Sequence, residues 1–505
     1  MTGKPYTIIV CTQTIMNWQK GKRLGIVSSI NLGETGQMPH SLRTFLESID
    51  NRMLHIHDPV DPLTQVGYLC SESQGPLMFH NMPGFDDWRL TDILIKDRAG
   101  QAAAFGLDAA NEVCPYLAEQ MATKRGKSVM VDDGPVKEIK MLGKDVDLHA
   151  LPIPQHSHGD GGRYLGSGIT ITKDPETGIR NEAIIRMMLT DDPQKATFWM
   201  AARHNYAHYM KYVEKDEPMP MAFAIGLHPV YEIMSNWSGK HEDFDELEYG
   251  AGILGEDIEM IKCDTIDLEV PAHAEVVIEG LVHPKDRAPE GPFGEFTTFG
   301  AGAEGPAPVF QITGITHRKD PIFRHMQATW FTDHQPLITL PMEATYYNRL
   351  KDTHGNTNIR DVFVPPWASQ FMMIVQMEAR WDGQVRDTLM SALSGPNLHV
   401  KVAIAVDEDV DIYNAEEVLW AIACRCDPQT MAHIIPNTRL HPLDISIPQV
   451  REDYTVMRVG GKLAIDATKP ATWRPEDRQK FSRVRPMGQG DEAIAKLVEQ
   501  VRVKR

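Results

Sequence analysis

The middle of the chain alternates short apolar runs with turn-forming residues from about residue 136 to residue 330. Runs with the composition of β-strands cover residues 168–172, 183–189, 221–225, 275–279 and 309–315. Gly, Pro, Asn and Asp separate these runs, as they do between the strands of all-β domains. Many short strands over about 190 residues predict a barrel-like or sandwich domain.

The regions on either side of these runs have α/β character. On the N-terminal side, Ser41 is a suitable N-cap for a helix that follows it, residues 75–79 have the composition of a strand, and residues 102–119 that of a helix. On the C-terminal side, helical patterns at 337–347, 387–393 and 416–423 flank a strand at 400–406. We predict three domains, over residues 1–125, 126–332 and 333–505, and residues 1–38 form an extension of unknown role.

The composition disfavours several classes of function. A formal net charge of −18 argues against a nucleic-acid-binding protein, which needs basic patches. The apolar run at 7–11 is too short for a membrane span or for the core of a signal peptide. Six scattered cysteines in 505 residues indicate reduced thiols. We therefore expect a soluble cytoplasmic protein that has neither a nucleic-acid nor a membrane partner.

Two segments match the G-x-G-x-x-G pattern of dinucleotide-binding proteins, at 250–255 and 300–305. The first follows an acidic stretch, and the second precedes two prolines and a strand, so neither lies between a strand and a helix. That context is required because the helix N-terminus binds the pyrophosphate. The pattern therefore does not indicate a nicotinamide cofactor.

The sequence EGPFGE at 290–295 places two carboxylates on either side of a turn. A rigid turn of Gly and Pro can hold Glu290 and Glu295 close together and separate their pKa values. One acid would then keep its proton near pH 7 while the other is ionised, as general acid/base catalysis requires. Taken alone, such a pair is more often simply solvated.

Polar residues also lie at both ends of the apolar run at 180–186. Asn181 and Arg186 are five residues apart, which on a regular strand places them on opposite faces unless a bulge or a cofactor lies between them. Asn181, His204 and an acid from 243–248 would offer oxygen and nitrogen donors that suit Mn²⁺ or Mg²⁺ better than zinc. Because the chain has 20 His and 69 acidic residues, residue types alone leave this grouping arbitrary.

Longer stretches of the sequence resemble UbiD-type decarboxylases, which use prenylated FMN to remove or add CO2 on unsaturated and aromatic acids. The matching stretches are TITKDPETG at 170–178, followed by Arg180 and Asn181, then GILGE at 252–256, DLEVPA at 267–272, EGPFGE at 290–295 and VDEDVD at 406–411. The resemblance spans about residues 41–470. It implies an N-terminal α/β domain, a central split β-barrel that binds the flavin, and a C-terminal α/β domain through which the chain forms a homodimer or a higher homo-oligomer.

The resemblance also implies a set of cofactor-binding residues. Asn181, His204 and Glu246 would bind Mn²⁺ or Mg²⁺, which holds the flavin phosphate, and backbone oxygens at 234–237 would help to hold K⁺. A prenyl-FMN synthase would supply the cofactor. The residues expected to contact the cofactor are Asn181, Glu182, Ala183, Ile184, Ile185, Arg186, Arg203, His204 and Glu246.

By the same resemblance, Arg186, Glu290 and Glu295 form the catalytic network. Decarboxylation needs an electron sink and then a proton donor. We expect Arg186 to orient the substrate carboxylate and to pair with Glu290, and Glu295 to deliver the proton that replaces CO2. Two alternatives stay open: an FMN-dependent oxidoreductase on a split barrel, and a non-catalytic flavin-binding protein for assembly or storage.

Two further segments bear on the substrate. Arg203 stands where some relatives that act on cinnamate-type acids carry Gln, and residues 324–331 mix hydrogen-bonding and aromatic side chains, as a pocket for a planar polar ring requires. We therefore favour an aromatic or heteroaromatic acid over a simple α,β-unsaturated one. The loop HSHGDGG at 156–162 resembles a metal site but matches an ordinary family loop, so we predict that it lies outside the site.

Overall fold

A nine-stranded antiparallel sheet forms the centre of the protein. In spatial order its strands are Tyr164–Leu165, Met187–Leu189, Lys195–Phe198, Gly305–His317, Val276–Glu290, Met219–Ile225, Ile169–Lys173 and Arg180–Ile184, and Ile139–Leu142 pairs with Gly305–His317. The two long strands pair from Val276 opposite His317 to Glu290 opposite Gly305. The sheet curls into a half-barrel, which confirms the predicted central split barrel.

Both faces of this sheet are buried, because alternate residues of its strands enter different cores. Val276 and Ile278 pack into one apolar cluster, whereas Val277 packs into another with Ile169 and Ile171. Successive side chains of a strand point to opposite faces, and β-branched residues pack well on a pleated surface. The central strands therefore combine continuous apolar runs with antiparallel pairing.

The N-terminal part contains a four-stranded sheet and the predicted first helix. In spatial order the strands are Leu54–Ile56, Leu77–Phe79, Arg89–Asp92 and Ile322–Arg324. The Ser41 side chain accepts a hydrogen bond from the backbone of Thr44 at the start of the helix Leu42–Ser48, which confirms the predicted N-cap. The single helix predicted at 102–119 is wrong, because the chain turns at Gly106, whose φ is +65°, between the helices Arg98–Ala104 and Val113–Thr123.

The C-terminal part is a mixed five-stranded sheet with helices, as the sequence predicted. In spatial order its strands are Ile359–Phe363, Met372–Met377, Val402–Val406, Arg458–Ala467 and Ala432–Leu440. The predicted helices correspond to His334–Thr353, Gln384–Leu393 and Ala415–Arg425. The other elements are the strands Ser128–Met130, Ile258–Lys262, Glu269–Pro271, Phe293–Gly294 and Gly300–Ala301, and the helices Val66–Glu72, His204–Lys215, Pro229–Met234, Glu246–Leu254, Pro428–Met431 and Pro475–Lys480.

The computed structural model describes residues 39–201, 203–237, 244–301, 305–329, 332–353, 358–381, 383–447, 458–470, 475–484, 486–487, 492–494, 497–498 and 501. The extension at 1–38 lies outside these residues. Pro39–Arg505 forms one compact unit, and its largest apolar core joins the helices Leu42–Ser48 and Val113–Thr123 to the helix His334–Thr353. The domain bounds at 125 and 332 stay predictions. In the described ranges, no helix is both long enough and apolar enough to cross a membrane.

Candidate active site

A cavity of about 320 Å³ brings together residues of the central sheet and three helices. All nine residues expected to contact a cofactor line it: Asn181, Glu182, Ala183, Ile184, Ile185, Arg186, Arg203, His204 and Glu246. Ser235, Asn236 and Trp237, from the segment predicted to help hold K⁺, line the same cavity. The fold thus places side chains separated by up to 65 positions in sequence around one space.

A break in the sheet allows Asn181 and Arg186 to share this cavity. The strand Arg180–Ile184 ends two residues before Arg186, and the next strand begins at Met187. The opposite-face arrangement of a regular strand therefore does not apply, because Ile185 and Arg186 belong to neither strand. Both side chains line the cavity.

Asn181 and His204 are held side by side. The Oδ1 atom of Asn181 lies 3.1 Å from Nδ1 of His204, the first residue of the helix His204–Lys215. The Nδ2 group of Asn181 donates to Oδ1 of Asn205 at 2.6 Å, and Thr172 donates to the same oxygen at 2.8 Å. Asn205 therefore orients the Asn181 amide so that its oxygen points toward the imidazole. The sequence analysis missed this role of Asn205.

Two buried carboxylates, Glu182 and Glu246, lie beside this pair. Each accepts a hydrogen bond from the backbone N–H of the other residue, at distances of 2.9 and 3.0 Å. Burial raises the pKa of Glu246 to about 8, and burial together with the Asp245 charge raises the pKa of Glu182 well above its usual value. The Oε1 atom of Glu182 is buried, accepts no hydrogen bond from the residues that the structure describes and lies 3.5 Å from Nε of Arg180. The amide, imidazole and carboxylate donors are of the types that fit a divalent cation.

Arg186 joins the two acids of the EGPFGE turn. Its Nε donates to Oε1 of Glu290 at 3.0 Å, and its Nη1 donates to Oε1 of Glu295. Glu290 is the last residue of the long central strand, so the sheet fixes its position. Glu295 lines the cavity, and burial raises its pKa although Arg186 acts in the opposite direction. The arrangement places a carboxyl group with a raised pKa and a cation at the wall of one cavity.

Two histidines that the sequence analysis did not select line the same cavity. His334 and His399 come from the C-terminal part of the chain. Their Nδ1 atoms are buried and have no hydrogen-bond partner in the described segments. Burial lowers the pKa of His334 to about 4 and that of His399 well below its usual value, so both rings are neutral near pH 7. Each can donate or accept one hydrogen bond toward a polar ligand.

The structure corrects the pocket predicted at 324–331. Met326 and Ala328 line the cavity, but the Arg324 side chain is fully buried away from it, among Asp92, Glu232 and Asp333. Residues 330 and 331 lie outside the described residues. The sequence could not distinguish a ligand-facing arginine from one that forms ion pairs in the interior.

The loop at 156–162, predicted to lie outside the site, packs against the turn at 290–295. The Oδ1 atom of Asp160 accepts a hydrogen bond from the backbone N–H of Gly294 at 2.7 Å, and the backbone N–H of Gly161 donates to the carbonyl of Pro292 at 2.8 Å. His156 is buried beside Phe293. The loop therefore supports the turn that carries Glu290 and Glu295.

Comparisons with known proteins agree with this geometry. The model of the 3-octaprenyl-4-hydroxybenzoate carboxy-lyase (UbiD) Rift-related domain matches residues 127–330, and that of the C-terminal domain of the same carboxy-lyase matches residues 335–467. The chain belongs to the UbiD family. It is therefore a decarboxylase of the carboxy-lyase class.

Individual UbiD relatives match over nearly their whole length. Anhydromevalonate phosphate decarboxylase from Methanosarcina mazei is 29% identical over 422 residues, which cover 83% of this chain and 93% of the relative. The UbiD-class enzyme HmfF from Pelotomaculum thermopropionicum, in complex with FMN, is 29% identical and has a TM-score of 0.82, covering 90% of this chain and 100% of that one. An evolved dimeric form of HmfF in complex with prenylated FMN is 29% identical and has a TM-score of 0.78, with coverages of 90% and 98%.

Proposed function

We propose that this UbiD-family enzyme catalyses the reversible, non-oxidative decarboxylation of an aromatic, heteroaromatic or α,β-unsaturated acid with prenylated FMN. The observation that carries the proposal is the ion-pair network of Arg186 with Glu290 and Glu295 at the wall of the cavity. The same cavity is lined by the three residues expected to bind the metal. HmfF, a relative of this chain, binds FMN and, in its evolved form, prenylated FMN.

Asn181, His204 and Glu246 would hold Mn²⁺ or Mg²⁺, and backbone oxygens of Met234–Trp237 would contribute to a K⁺ site. The divalent cation would neutralise the buried Glu182 and Glu246 and the flavin phosphate. When bound, prenylated FMN supplies the electron sink that decarboxylation needs.

Arg186 orients the carboxylate of the substrate. Its Nε and Nη1 are occupied by the two glutamates, and its Nη2 has no hydrogen-bond partner among the residues that the structure describes. A guanidinium that is fixed on two sides and open on the third is suited to bind an anionic group with defined geometry. The substrate carboxylate therefore binds at Arg186 with its scissile bond directed into the cavity.

Glu295 delivers the proton that replaces CO2. Burial raises its pKa, so the side chain keeps its proton to higher pH than a solvated glutamate. Its hydrogen bond to Arg186 fixes the carboxyl group beside the bound substrate. Turnover should decline as the pH rises through the pKa of Glu295, because the proton donor is then ionised.

His334 and His399 select an acid that carries a second polar group. Their neutral rings lie at the wall of the cavity, together with aromatic residues such as Trp199 and Phe293. A site built to form a hydrogen bond with a polar group of the substrate discriminates strongly against a substrate that lacks this group. A ring hydroxyl, a heteroatom or a second carboxylate meets this requirement.

Three further statements complete the proposal. A prenyl-FMN synthase supplies the cofactor, the chain forms a homodimer or a larger homo-oligomer, and the protein is cytoplasmic. The dimeric form of HmfF supports association in this family. These three statements rest on family resemblance.

The test is to produce the protein together with a prenyl-FMN synthase, in Mn²⁺ and K⁺. The absorbance and mass of the bound cofactor are recorded, and CO2 release is measured over aromatic, heteroaromatic and α,β-unsaturated acids with and without a second polar group. We expect prenylated flavin and CO2 from one class of ring acid. Ordinary FMN whose absorbance responds to a nicotinamide, or a bound flavin without any turnover, would favour the oxidoreductase or the storage protein instead.

Glu295→Gln tests the proton donor. We expect kcat to fall by about 10²–10⁴-fold, the range typical of general acid catalysis, with the flavin still bound. Glu378→Gln is the matched control, since Glu378 forms a surface ion pair with Arg360 at 2.7 Å, and its kcat should not change. An active Glu295→Gln enzyme would show that another group delivers the proton.

A further inference from the structure

Tyr164 is a fully buried tyrosine whose hydroxyl contacts the catalytic turn at three points. It accepts a hydrogen bond from the backbone N–H of Gly291 at 3.1 Å, and it can donate to Oε1 of Glu290 at 3.1 Å and to the carbonyl of Pro292 at 3.3 Å. Oε1 of Glu290 is the same oxygen that accepts from Nε of Arg186. The tyrosine hydroxyl thus completes a chain of hydrogen bonds from Gly291 to Arg186, and it does not line the cavity.

The sheet register explains how Tyr164 reaches this place. The strand Tyr164–Leu165 pairs antiparallel with Met187–Leu189, and Tyr164 lies opposite Met188. Met188 lies two residues after Arg186, so the pairing brings the tyrosine near the arginine. The Tyr164 ring also packs against Phe293, with 4.5 Å between ring centres, and Phe293 lies 4.6 Å from the Arg186 guanidinium carbon.

The loop that precedes Tyr164 holds the other end of the same turn. Asp160 accepts from the Gly294 N–H at 2.7 Å and is itself fixed by Ser157, which donates through its backbone N–H and its hydroxyl. A Cβ atom on Gly161 would lie only 2.1 Å from the carbonyl oxygen of Gly291, so the two backbones are in direct contact. Residues 157–164 therefore hold the turn near both glutamates.

We propose that Tyr164 is a positioning residue for the Arg186–Glu290 pair and that Asp160 is its counterpart at the Glu295 end. Tyr164 fixes the Glu290 carboxylate, Glu290 fixes the Arg186 guanidinium, and Arg186 presents Nη2 to the substrate carboxylate. The inference deepens the proposed function and rests on it for its catalytic consequence. The structural claim, that these side chains hold the turn, stands without it.

The first measurement is hydrogen exchange of the cofactor-free protein, resolved to single amides in residues 288–296. Tyr164→Phe keeps the ring and removes the hydroxyl, which accepts from the Gly291 amide and donates to Glu290, so exchange at Gly291 should accelerate at least about tenfold. The Glu295 amide, which donates to the carbonyl of Phe299 at 3.0 Å, should change less and serves as an internal reference. Tyr346→Phe is the matched control, because Tyr346 is equally buried and its hydroxyl donates to Asn397 instead.

The second measurement is the pH profile of the loaded enzyme. Tyr164→Phe should lower kcat by about tenfold or more with little change in KM, as the loss of a hydrogen bond to a charged group does. The alkaline limb of kcat should move to higher pH, because an Arg186 that Glu290 holds less firmly lowers the pKa of Glu295 less. A role in stability alone would lower activity equally at every pH and would leave the limb in place.

Unchanged exchange at Gly291 in Tyr164→Phe would overturn the proposal, as would an unmoved pH profile in an otherwise active enzyme. Should Tyr164→Phe not fold, Asp160→Ala tests the same claim from the other end, where accelerated exchange at Gly294 is expected and unchanged exchange would contradict it. A wild-type protein that releases no CO2 from any acid would refute the proposed function, while the exchange data would still decide whether Tyr164 holds the turn.

Discussion

Arg324 and Arg186 each lie among several carboxylates, but only Arg186 lines the cavity. Arg324 is completely buried, and its three side-chain nitrogens donate to Glu232, Asp92 and Asp333 at 3.3, 3.1 and 2.7 Å. Arg186 donates to two glutamates and lines the cavity, where its third nitrogen is open. The difference is whether the protein itself provides partners for every donor.

The two clusters show that a guanidinium surrounded by carboxylates can be suited to a structural or to a catalytic role. The Arg324 cluster joins the strand Ile322–Arg324 to the helix Pro229–Met234 and to the sheet residue Asp92, so its bonds cross between elements that are far apart in sequence. A cluster of this kind is costly to disrupt because any remaining charge stays buried. In the Arg186 cluster, the cavity provides access for water, protons and ligand, so its groups can change their charge during a reaction.

The largest effect is expected from Arg324→Met. Removing the guanidinium leaves three buried carboxyl groups without their cation, which should lower the free energy of unfolding by about 3–5 kcal/mol. Denaturant unfolding of the variant and the wild type measures the change. Arg360→Met removes a surface pair and should cost at most about 1 kcal/mol. A loss as small as that of the control would mean that the Arg324 cluster is not a structural centre.

Arg186→Met should have the opposite profile. We expect kcat/KM to fall by about 10²-fold or more, because the substrate carboxylate loses its orienting group. The free energy of unfolding should change by less than about 1 kcal/mol, since Glu295 lines the cavity and can be neutralised by a proton. Steady-state kinetics and denaturant unfolding on one preparation measure both quantities. If Arg186→Met destabilises the protein as strongly as Arg324→Met, the distinction between the two clusters fails.

From the sequence both arginines were expected at the ligand site, whereas the structure places Arg186 at the cavity and Arg324 in the interior, and the difference has a physical reason. The EGPFGE turn and the run at 180–186 carry local signals, and the resemblance to UbiD proteins joins them, so the residues around the cavity could be selected in advance. The environment of Arg324 depends on Asp92, 232 positions away, and no local pattern reports such a contact. No local pattern reports the contact of Tyr164 with Glu290, which are 126 positions apart, or the strand break after Ile184.

Secondary structure shows the same limit. The runs at 221–225 and 400–406 overlap with the strands Met219–Ile225 and Val402–Val406 because a short continuous apolar run is a local property of the sequence. The long strand Val276–Glu290 was predicted only over its first residues, because its second half contains charged residues and prolines, which are uncommon in strands. In the structure, pairing with the strand Gly305–His317 keeps this half extended. Tertiary pairing there outweighs intrinsic preference.

A pH experiment tests the Arg324 cluster further, and its expected effect on the free energy of unfolding is intermediate in size. Burial raises the pKa of Glu232 from 4.5 to about 7, although Arg324 acts in the opposite direction. Between these values the folded state holds a proton that the unfolded state has lost, so the free energy of unfolding should fall as the pH rises from about 4.5 to about 7. Glu232→Gln should remove on the order of 2 kcal/mol of this decline.

Unfolding titrations at pH 5 and pH 8 measure the decline in the wild type, in Glu232→Gln and in the surface control Glu378→Gln. The control should retain the wild-type dependence on pH. An identical pH dependence in Glu232→Gln and the wild type would show that Glu232 is ionised throughout, and that one arginine suffices for three buried carboxylates.

The smallest effect is expected from the aromatic ring that supports Arg186. The guanidinium carbon lies 4.6 Å from the centre of the Phe293 ring, an attraction of about 0.5–1 kcal/mol when the pair is partly exposed. Phe293→Leu keeps an apolar side chain and removes the ring, so kcat/KM should fall by about 2–5-fold. Phe363→Leu is the matched control, because Arg98 lies 5.0 Å from the Phe363 ring in the interior, and there the change should lower stability and leave kcat/KM unaltered. Equal losses of kcat/KM in the two variants would indicate that the ring acts through general packing. A loss confined to Phe293→Leu would show that even a weak contact affects catalysis when the cation that it supports faces the cavity.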